Sequence, residues 1–476
     1  MTAIAVTIFI GIVLSYTLGM FLLGMVRRKP PATALAEHRH FVVMIPCLNE
    51  ELVIGRTLDR LLGDKPPNVT VMVIDDGSDD RTAEIAESYP GGQVWVHRRV
   101  LPDARQGKGH ALNAAYRRLR DAVLEAKADP TRVVVAVLDA DGRLEVQGLP
   151  IVDSYFDDPS MGAVQIKVKI HNAGDGLLPR MQDVEFATFT EVFQRARARV
   201  GSSGLGGNGQ FTRLTALMEL GDDPWSDCLT EDLELGINLL LNGWKNEFTP
   251  EVAVSQQGVT DLRRLVRQRS RWFQGHLQCL HLVPRVLASK RLRVVTRLDL
   301  CYHLVNSVLM LVFQTFSVVW IVLTVSAGLL RPDGVEITAR LAFTLYFLAF
   351  GLSSLIAWAY RRARPELGTI RCLLYAHVYV LYTYMWWAAG LIALFRHVSG
   401  ESSWAKTART VGTGDEVPLG GPGSRDGRAP AVATRHRVAE RFPNRSPAAT
   451  GAIPAAFPLG EVAAIDPSTT RLGAQP

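Results

Sequence analysis

Cysteine is scarce in this chain and scattered: five residues, at positions 47, 228, 279, 301 and 372, with no C-x-x-C pair. That spacing suggests neither a disulfide framework nor a zinc site, and it suits a reducing compartment. A GxxxxGK[ST] phosphate loop is also missing, although Gln106-Gly107-Lys108-Gly109 places a lysine between glycines. Charge is absent altogether from residues 3 to 26. No helix or loop combines basic clusters with aromatic residues as a nucleic-acid site requires, so nucleic acid is not expected as a partner despite a net charge of +6.

The residues that are present are unevenly spread. The 476 residues suffice for one large or two medium domains, and 48% of them are hydrophobic. Ala3 to Val26 is long enough to cross a bilayer, which takes roughly 20 apolar residues, and Arg27, Arg28 and Lys29 come directly after it. A cleaved signal peptide carries its charge before a shorter apolar run. Residues 1–28 therefore read as an anchor, and the basic flank places the chain from residue 27 onward in the cytoplasm.

Further apolar stretches run from Tyr302 to Leu330, Leu341 to Tyr360 and Cys372 to Phe395, within a C-terminal membrane region 299–398. The loop carrying Arg331, Asp333, Glu336 and Arg340 suits the outside, and the one with Arg361, Arg362, Arg364 and Arg371 the cytoplasm. Three full crossings would leave the arginine-rich tail outside, against the same rule, so the number of spans stays open. Residues 411–476, rich in Gly, Pro, Ala, Ser and Arg without apolar periodicity, are expected to be disordered.

Residues 38–260 read as a soluble α/β domain. Short apolar strands are expected at His40 to Pro46, Val69 to Ile74, Val94 to His97 and Val133 to Leu138, alternating with helical stretches. Such alternation predicts a largely parallel sheet, with ligands bound beyond the carboxyl ends of its strands. Polar residues stand at those ends: Pro46-Cys47-Leu48-Asn49-Glu50, Asp75-Asp76-Gly77-Ser78 and Asp139-Ala140-Asp141-Gly142.

Asp139 and Asp141 offer hard oxygen donors suited to Mg2+ or Mn2+ shared with a substrate's phosphates, or else they build a turn. Asp75-Asp76-Gly77-Ser78 is open to the same two readings. Lys108 either meets a diphosphate at a helix start or lies on the surface. Glu231 and Asp232 open an apolar-periodic helix, where they are ordinary first-turn acids or, for one of them, a general base. Gln268-Arg269-Ser270-Arg271-Trp272 sits in a basic amphipathic stretch, 261–298, whose Arg and Trp suit a membrane interface, while its other face is free to line a site.

The order P-C-L-N-E, D-D-G-S, G-K-G-H-A-L-N, D-A-D, T-E-D and Q-R-S-R-W resembles the membrane-bound family 2 glycosyltransferases, the group of cellulose, chitin, hyaluronan and poly-N-acetylglucosamine synthases. The likeness spans roughly residues 40 to 300 and extends to Trp404-Ala405-Lys406-Thr407, similar to that group's W-x-K-T segment. The resemblance implies a GT-A (Rossmann-like) domain inserted between transmembrane helices of a bacterial-type plasma membrane. It implies that Pro46, Asn49, Glu50 and Asp76 contact uridine, that Lys108 and Asp139 meet the diphosphate, and that Asp141 joins Asp139 at the metal. Asp232 would then be the base, beside Glu231. Gln268 and Arg271 would bind the diphosphate, and Trp272 would stack beneath an acceptor sugar.

Asn208 falls in Gly204–Phe211, the place of the family's acceptor loop, though without its Cys-rich or F-C-G-T forms. The implied reaction is inverting transfer from a UDP-sugar to a growing β-linked polysaccharide, with passage through the membrane segments. Synthesis of a membrane glycolipid is the alternative. The Q-x-x-R-W run and the aromatics Tyr375, Tyr379, Tyr382, Tyr384, Trp386 and Trp387 favour the polymer.

Overall fold

The computed structural model describes residues 2–26, 28–31, 39–63, 66–90, 93–330 and 353–401, with a few positions between 339 and 351. The expected outer loop at 331–340 is mostly outside the described residues, as are much of the Leu341–Tyr360 stretch, the W-x-K-T segment and the 411–476 tail.

Eight strands form one sheet: β1 (His40–Cys47), β2 (Val69–Asp75), β3 (Val94–Arg98), β4 (Val133–Val137), β5 (Arg143–Leu144), β6 (Met161–Ile170), β7 (Gln210–Arg213) and β8 (Lys245–Gln256), in the order β3-β2-β1-β4-β7-β6-β8-β5. The four strands read from sequence are the parallel half. β7 then runs antiparallel to both β4 and β6, while β6 and β8 pair parallel. The sheet is thus mixed, not largely parallel. β6, β7 and β8 carry too many polar residues among their apolar ones (Gln165, Gln210, Thr212, Asn246) to read as buried strands, yet all four are buried.

The apolar N-terminal segment forms α1 (Thr2–Met25). Helices cover both faces of the sheet, which explains why β1 and β2 are apolar at almost every position. Phe41, Val43, Ile45, Val71 and Val73 face a core that α2 (Ile54–Gly63) completes with Ile54, Leu58 and Leu61. Val42, Met44, Met72 and Ile74 face the opposite core, the two-residue period of a strand. α3 (Thr82–Glu87) is a short connector, and α4 (Lys108–Glu125) fills the second core with Ala111, Leu112, Ala115 and Leu119.

α5 (Leu149–Tyr155) precedes β6. α6 (Leu177–Val184) and α7 (Glu191–Val200) are joined by a π-helical segment, Glu185–Thr190. α8 (Leu214–Met218) comes after β7, and α9 (Glu231–Asn242) ends at Gly243, which takes the left-handed conformation with φ 99°. α10 (Leu262–Gln278), capped by the Asp261 carboxylate on Arg264 N at 2.8 Å, carries Q-x-x-R-W. α11 (Val283–Ala288) leads into α12 (Val294–Leu329), and α13 (Ser353–Ala363) and α14 (Thr369–Val398) complete the described chain.

Among the described residues, Val294–Gly328 and Thr369–Val398 are long and apolar enough to cross a membrane. Val312, Phe316, Val319 and Leu323 make an exposed apolar stripe along α12. The expected border between interface helices and membrane region, 298 to 299, falls inside that single helix. Its first turns pack on α7: Thr296 Oγ1 donates to Val200 O at 2.6 Å, and Asp299 pairs with Arg197 at 3.1 Å.

Candidate active site

The carboxyl ends of β1, β2 and β4 bring three of the polar loops together. Asp76 N donates to Cys47 O at 2.9 Å, Asn49 N to Ser78 Oγ at 3.0 Å, and Glu50 N to Thr82 Oγ1 at 2.7 Å. P-C-L-N-E and D-D-G-S are therefore one interlocked loop pair. Asp75 does the turn work, accepting from Ser78 N at 3.1 Å, which leaves Asp76 for a different role. Asp76 is buried against the Arg99 guanidinium; burial raises its carboxyl above the ordinary range while Arg105 and Arg99 oppose the shift. Arg99 carries no sequence signal beyond its position just past β3. Pro46 is half-buried, Asn49 is exposed and Glu50 is buried along the same loop pair.

At the end of β4 the backbone closes the turn by itself, Gly142 N to Asp139 O at 2.7 Å. Gln257 N donates to Asp141 Oδ2 at 3.4 Å, so the second carboxylate is tied to the end of β8. Lys108 Nζ, at the start of α4, donates to Asp139 Oδ1 at 3.0 Å and to Gly207 O at 3.0 Å, and it lies 3.8 Å from Glu231 Oε1. Burial works against the Lys108 charge, but Asp139, Glu231 and Asp232 together hold its ammonium above the usual lysine range. The lysine is the hub of the cluster rather than a surface residue.

The antiparallel β7 is what returns the glycine-rich loop to this place. Gly209 N donates to Val137 O at 2.9 Å, and Asn208 Oδ1 accepts from Asp139 N at 3.2 Å. Gln165 and Gln256, unsuspected from sequence, brace the loop: Gln165 Nε2 donates to Asn208 O at 2.9 Å, and Asn208 Nδ2 to Gln256 Oε1 at 3.1 Å. At Gly207 a methyl group would sit 2.9 Å from Lys108 Nζ and 3.2 Å from Asp232 Oδ2. A side chain there would crowd both groups, whose flexible ends would have to shift to admit it.

Burial pushes the Glu231 carboxyl up to about 7, against the pull of Lys108 and with the repulsion of Asp232. Burial also raises Asp232, with Lys108 opposing. Thr230 makes no side-chain cap to α9, and Asp232 Oδ1 accepts from Leu233 N at 2.8 Å within the first turn. Arg271 lies close enough to act on Glu231, and His276 close enough to act on Asp232.

α10 reaches this cluster by packing its Gly275 on Thr230: a methyl group there would fall 2.6 Å from Thr230 Oγ1 and 2.8 Å from its backbone N. Gln268, Arg271 and Trp272, at i, i+3 and i+4, share one face of α10. Arg269 does not. It is fully buried, donates to Glu185 Oε2 at 2.7 Å, and lies 4.0 Å from the centre of the Trp272 ring. Glu185 also accepts from Tyr382 Oη at 3.0 Å and Trp386 Nε1 at 3.2 Å. A sequence signal existed: Leu265, Arg269, Phe273 and Leu277 form one stripe of buried positions, and an arginine in such a stripe requires a buried acid.

A sequence model described as glycosyltransferase like family 2 matches residues 38–275, half of the 476-residue chain. The chain belongs to family 2 of the glycosyltransferases. The transferase is 34% identical to the β-monoglucosyldiacylglycerol synthase of Synechocystis sp. over 244 residues, 50% of this chain and 47% of that protein. It is 27% identical to the poly-β-1,6-N-acetyl-D-glucosamine synthase of Staphylococcus aureus over 251 residues, 52% and 57% of the two chains. The transferase thus spans about half the length of the curated relatives it matches. Its fold is GT-A, similar to the mannosyltransferase PcManGT from Pyrobaculum calidifontis solved with GDP-Man and Mn2+, with TM-score 0.53, 20% identity, and 83% of this chain and 98% of that one covered.

Proposed function

We propose that this transferase is a metal-dependent, inverting enzyme that moves a sugar from a UDP-sugar to a hydroxyl of a membrane lipid headgroup, at the cytoplasmic face of the plasma membrane. The observation that carries this reading is the meeting of Lys108, Asp139, Glu231 and Asp232 beneath Gly207, on the side where α10 joins the apolar helices.

The Asp139 and Asp141 side chains offer only hard carboxylate oxygens at a strand end, which fits Mg2+ or Mn2+. Such an ion, when bound, neutralises charge on the departing diphosphate. Lys108, Gln268 and Arg271 hold the diphosphate oxygens, and Pro46, Asn49, Glu50 and Asp76 form the uridine side. Asp232 takes the proton from the acceptor hydroxyl as the new bond to the anomeric carbon forms and the bond to the β-phosphate oxygen breaks. One in-line attack turns a UDP-α-sugar into a β-glycoside. Glu231 keeps Lys108 in place, and Asn208 and Trp272 border the acceptor.

A lipid acceptor is supported by the likeness to the glucosyldiacylglycerol synthase and by how α14 uses its aromatics. Tyr382 and Trp386 are bonded to Glu185, Trp387 Nε1 donates to Thr315 Oγ1 at 2.9 Å, and Tyr379 is buried. These four rings are engaged between helices, a use that weighs toward the lipid reading, while Tyr375 and Tyr384 stay half-buried. Polysaccharide extension is the second reading, favoured by Q-x-x-R-W and the poly-N-acetylglucosamine synthase likeness.

Full-length protein in liposomes containing diacylglycerol, given radiolabelled UDP-sugars and Mn2+, separates the two. Label in a chloroform-soluble product is expected. Label only in high-mass, water-soluble material would establish the polymer instead, and no transfer from any UDP-sugar would remove the donor assignment.

A further inference from the structure

Around the start of α9 two thiols and a carboxylate converge, with an imidazole beside the carboxylate. Cys228 Sγ lies 3.5 Å from Cys279 Sγ, and both sulfurs and a Glu234 carboxylate oxygen fall within 4.8 Å of one another. His281 Nε2 is 3.4 Å from Glu234 Oε1. Thr230 N donates to Cys228 Sγ at 3.5 Å, and Ser226 Oγ donates to Glu234 Oε2 at 2.6 Å. We propose that Cys228, Cys279 and Glu234 form a zinc site that clasps the loop before α9 to the end of α10, with His281, half-exposed beside Glu234, turning in as the fourth ligand.

The sulfur spacing suits a tetrahedral ion. Two thiolates each about 2.3 Å from one zinc lie about 3.8 Å apart, close to the observed sulfur separation. Two sulfurs with one oxygen and one imidazole nitrogen select zinc over Mg2+ or Mn2+, the reverse of the preference at Asp139 and Asp141. Cys228 Sγ accepts from Thr230 N and, as a thiol, donates to Gly275 O at 3.4 Å, a proton that zinc would displace, and a hydroxyl on the Glu234 carboxylate fixes its orientation, as the partners of metal ligands do. A disulfide would account for the two sulfurs but gives no reason for Glu234 and His281 to gather there.

The sequence hides the site because its two cysteines are 51 residues apart. Its place in the chain gives it a purpose. Cys228 stands just before Thr230-Glu231-Asp232, and Cys279 ends the helix of Gln268, Arg271 and Trp272. Zinc has no redox chemistry, so the ion acts as a structural clasp, holding the acidic pair and the Q-x-x-R-W helix in fixed relation. The clasp is independent of the choice of sugar and acceptor.

The test is made on full-length protein in detergent, purified without chelator or metal-affinity resin. Metal analysis is expected to find stoichiometric zinc, and cobalt exchanged into the site should show sulfur-to-cobalt charge-transfer absorption. Cys228→Ser and Cys279→Ser should lose both signals, and Glu234→Gln should weaken zinc affinity at least about tenfold. Protein that holds no zinc, takes up no cobalt and leaves both thiols open to alkylation would overturn the proposal. So would an intact mass showing a Cys228–Cys279 disulfide. If the serine variants fail to fold, the wild-type cobalt spectrum decides by itself.

Discussion

Arg269 and Glu185 form an ion pair at 2.7 Å in which the arginine side chain is about 1% exposed, and Trp272, Tyr382 and Trp386 close around it. The pair joins three separate parts of the chain: the Q-x-x-R-W helix, the π-helical segment and the last apolar helix. A π-helical segment placed where a buried acid must reach its partner is a local distortion with a use.

Breaking that pair from one side leaves an uncompensated buried charge. Arg269→Met is expected to destabilise the protein by roughly 3–5 kcal/mol, and adding Glu185→Gln should recover part of the loss. Thermal unfolding of the three variants in detergent checks both statements; strictly additive losses would sink the pairing argument.

Asp232→Asn keeps the size of the side chain and removes the base. Transfer should fall by about 10²–10⁴-fold while donor KM changes little. A loss confined to KM would mean that Asp232 binds substrate and does not accept the proton.

The pH profile depends on the same residue. A base works only when deprotonated, so activity is present above its pKa and is lost as pH falls through it. Burial raises the Asp232 pKa, which places the acid limb of kcat/KM above the ordinary aspartate value of about 3.9. Lys108 opposes that shift, so Lys108→Met should move the limb to still higher pH as well as weaken donor binding. A limb that stays put in this variant would separate Lys108 from the titration.

Chelation with EDTA should abolish transfer, and Mn2+ or Mg2+ should restore it. Asp139→Asn and Asp141→Asn should each lower the rate at saturating metal by at least about 10²-fold. Full activity after exhaustive chelation would rule out a metal-dependent reaction.

Gly275→Ala drives a methyl group into Thr230, beside the acidic pair. Overpacking of this kind costs about 1–3 kcal/mol, and here it also displaces Asp232 relative to Arg271. The kcat should drop more than donor affinity, measured by steady-state kinetics alongside UDP titration.

The parallel half of the sheet was legible in sequence because strands covered on both faces must be apolar throughout, and those runs end where the polar motifs begin. Lys108, Asp139, Glu231 and Asp232 were each open to a bland reading until their order along the chain was considered. Spacing along the chain could not show that Gly207 lies over Lys108 and Asp232, since that contact depends on an antiparallel strand whose polar residues mask it. Nor could it show that Arg269 points away from Arg271, or that Cys228 meets Cys279.

By itself the sequence determined the α/β class, the apolar helices and the acidic, basic and aromatic residues available for chemistry, because backbone periodicity and side-chain type are local properties. Only the tertiary structure decided which of them meet: contacts between distant segments are set by packing, and packing placed Asp76 on Arg99, Arg269 on Glu185, and Tyr382 and Trp386 of α14 on that same Glu185.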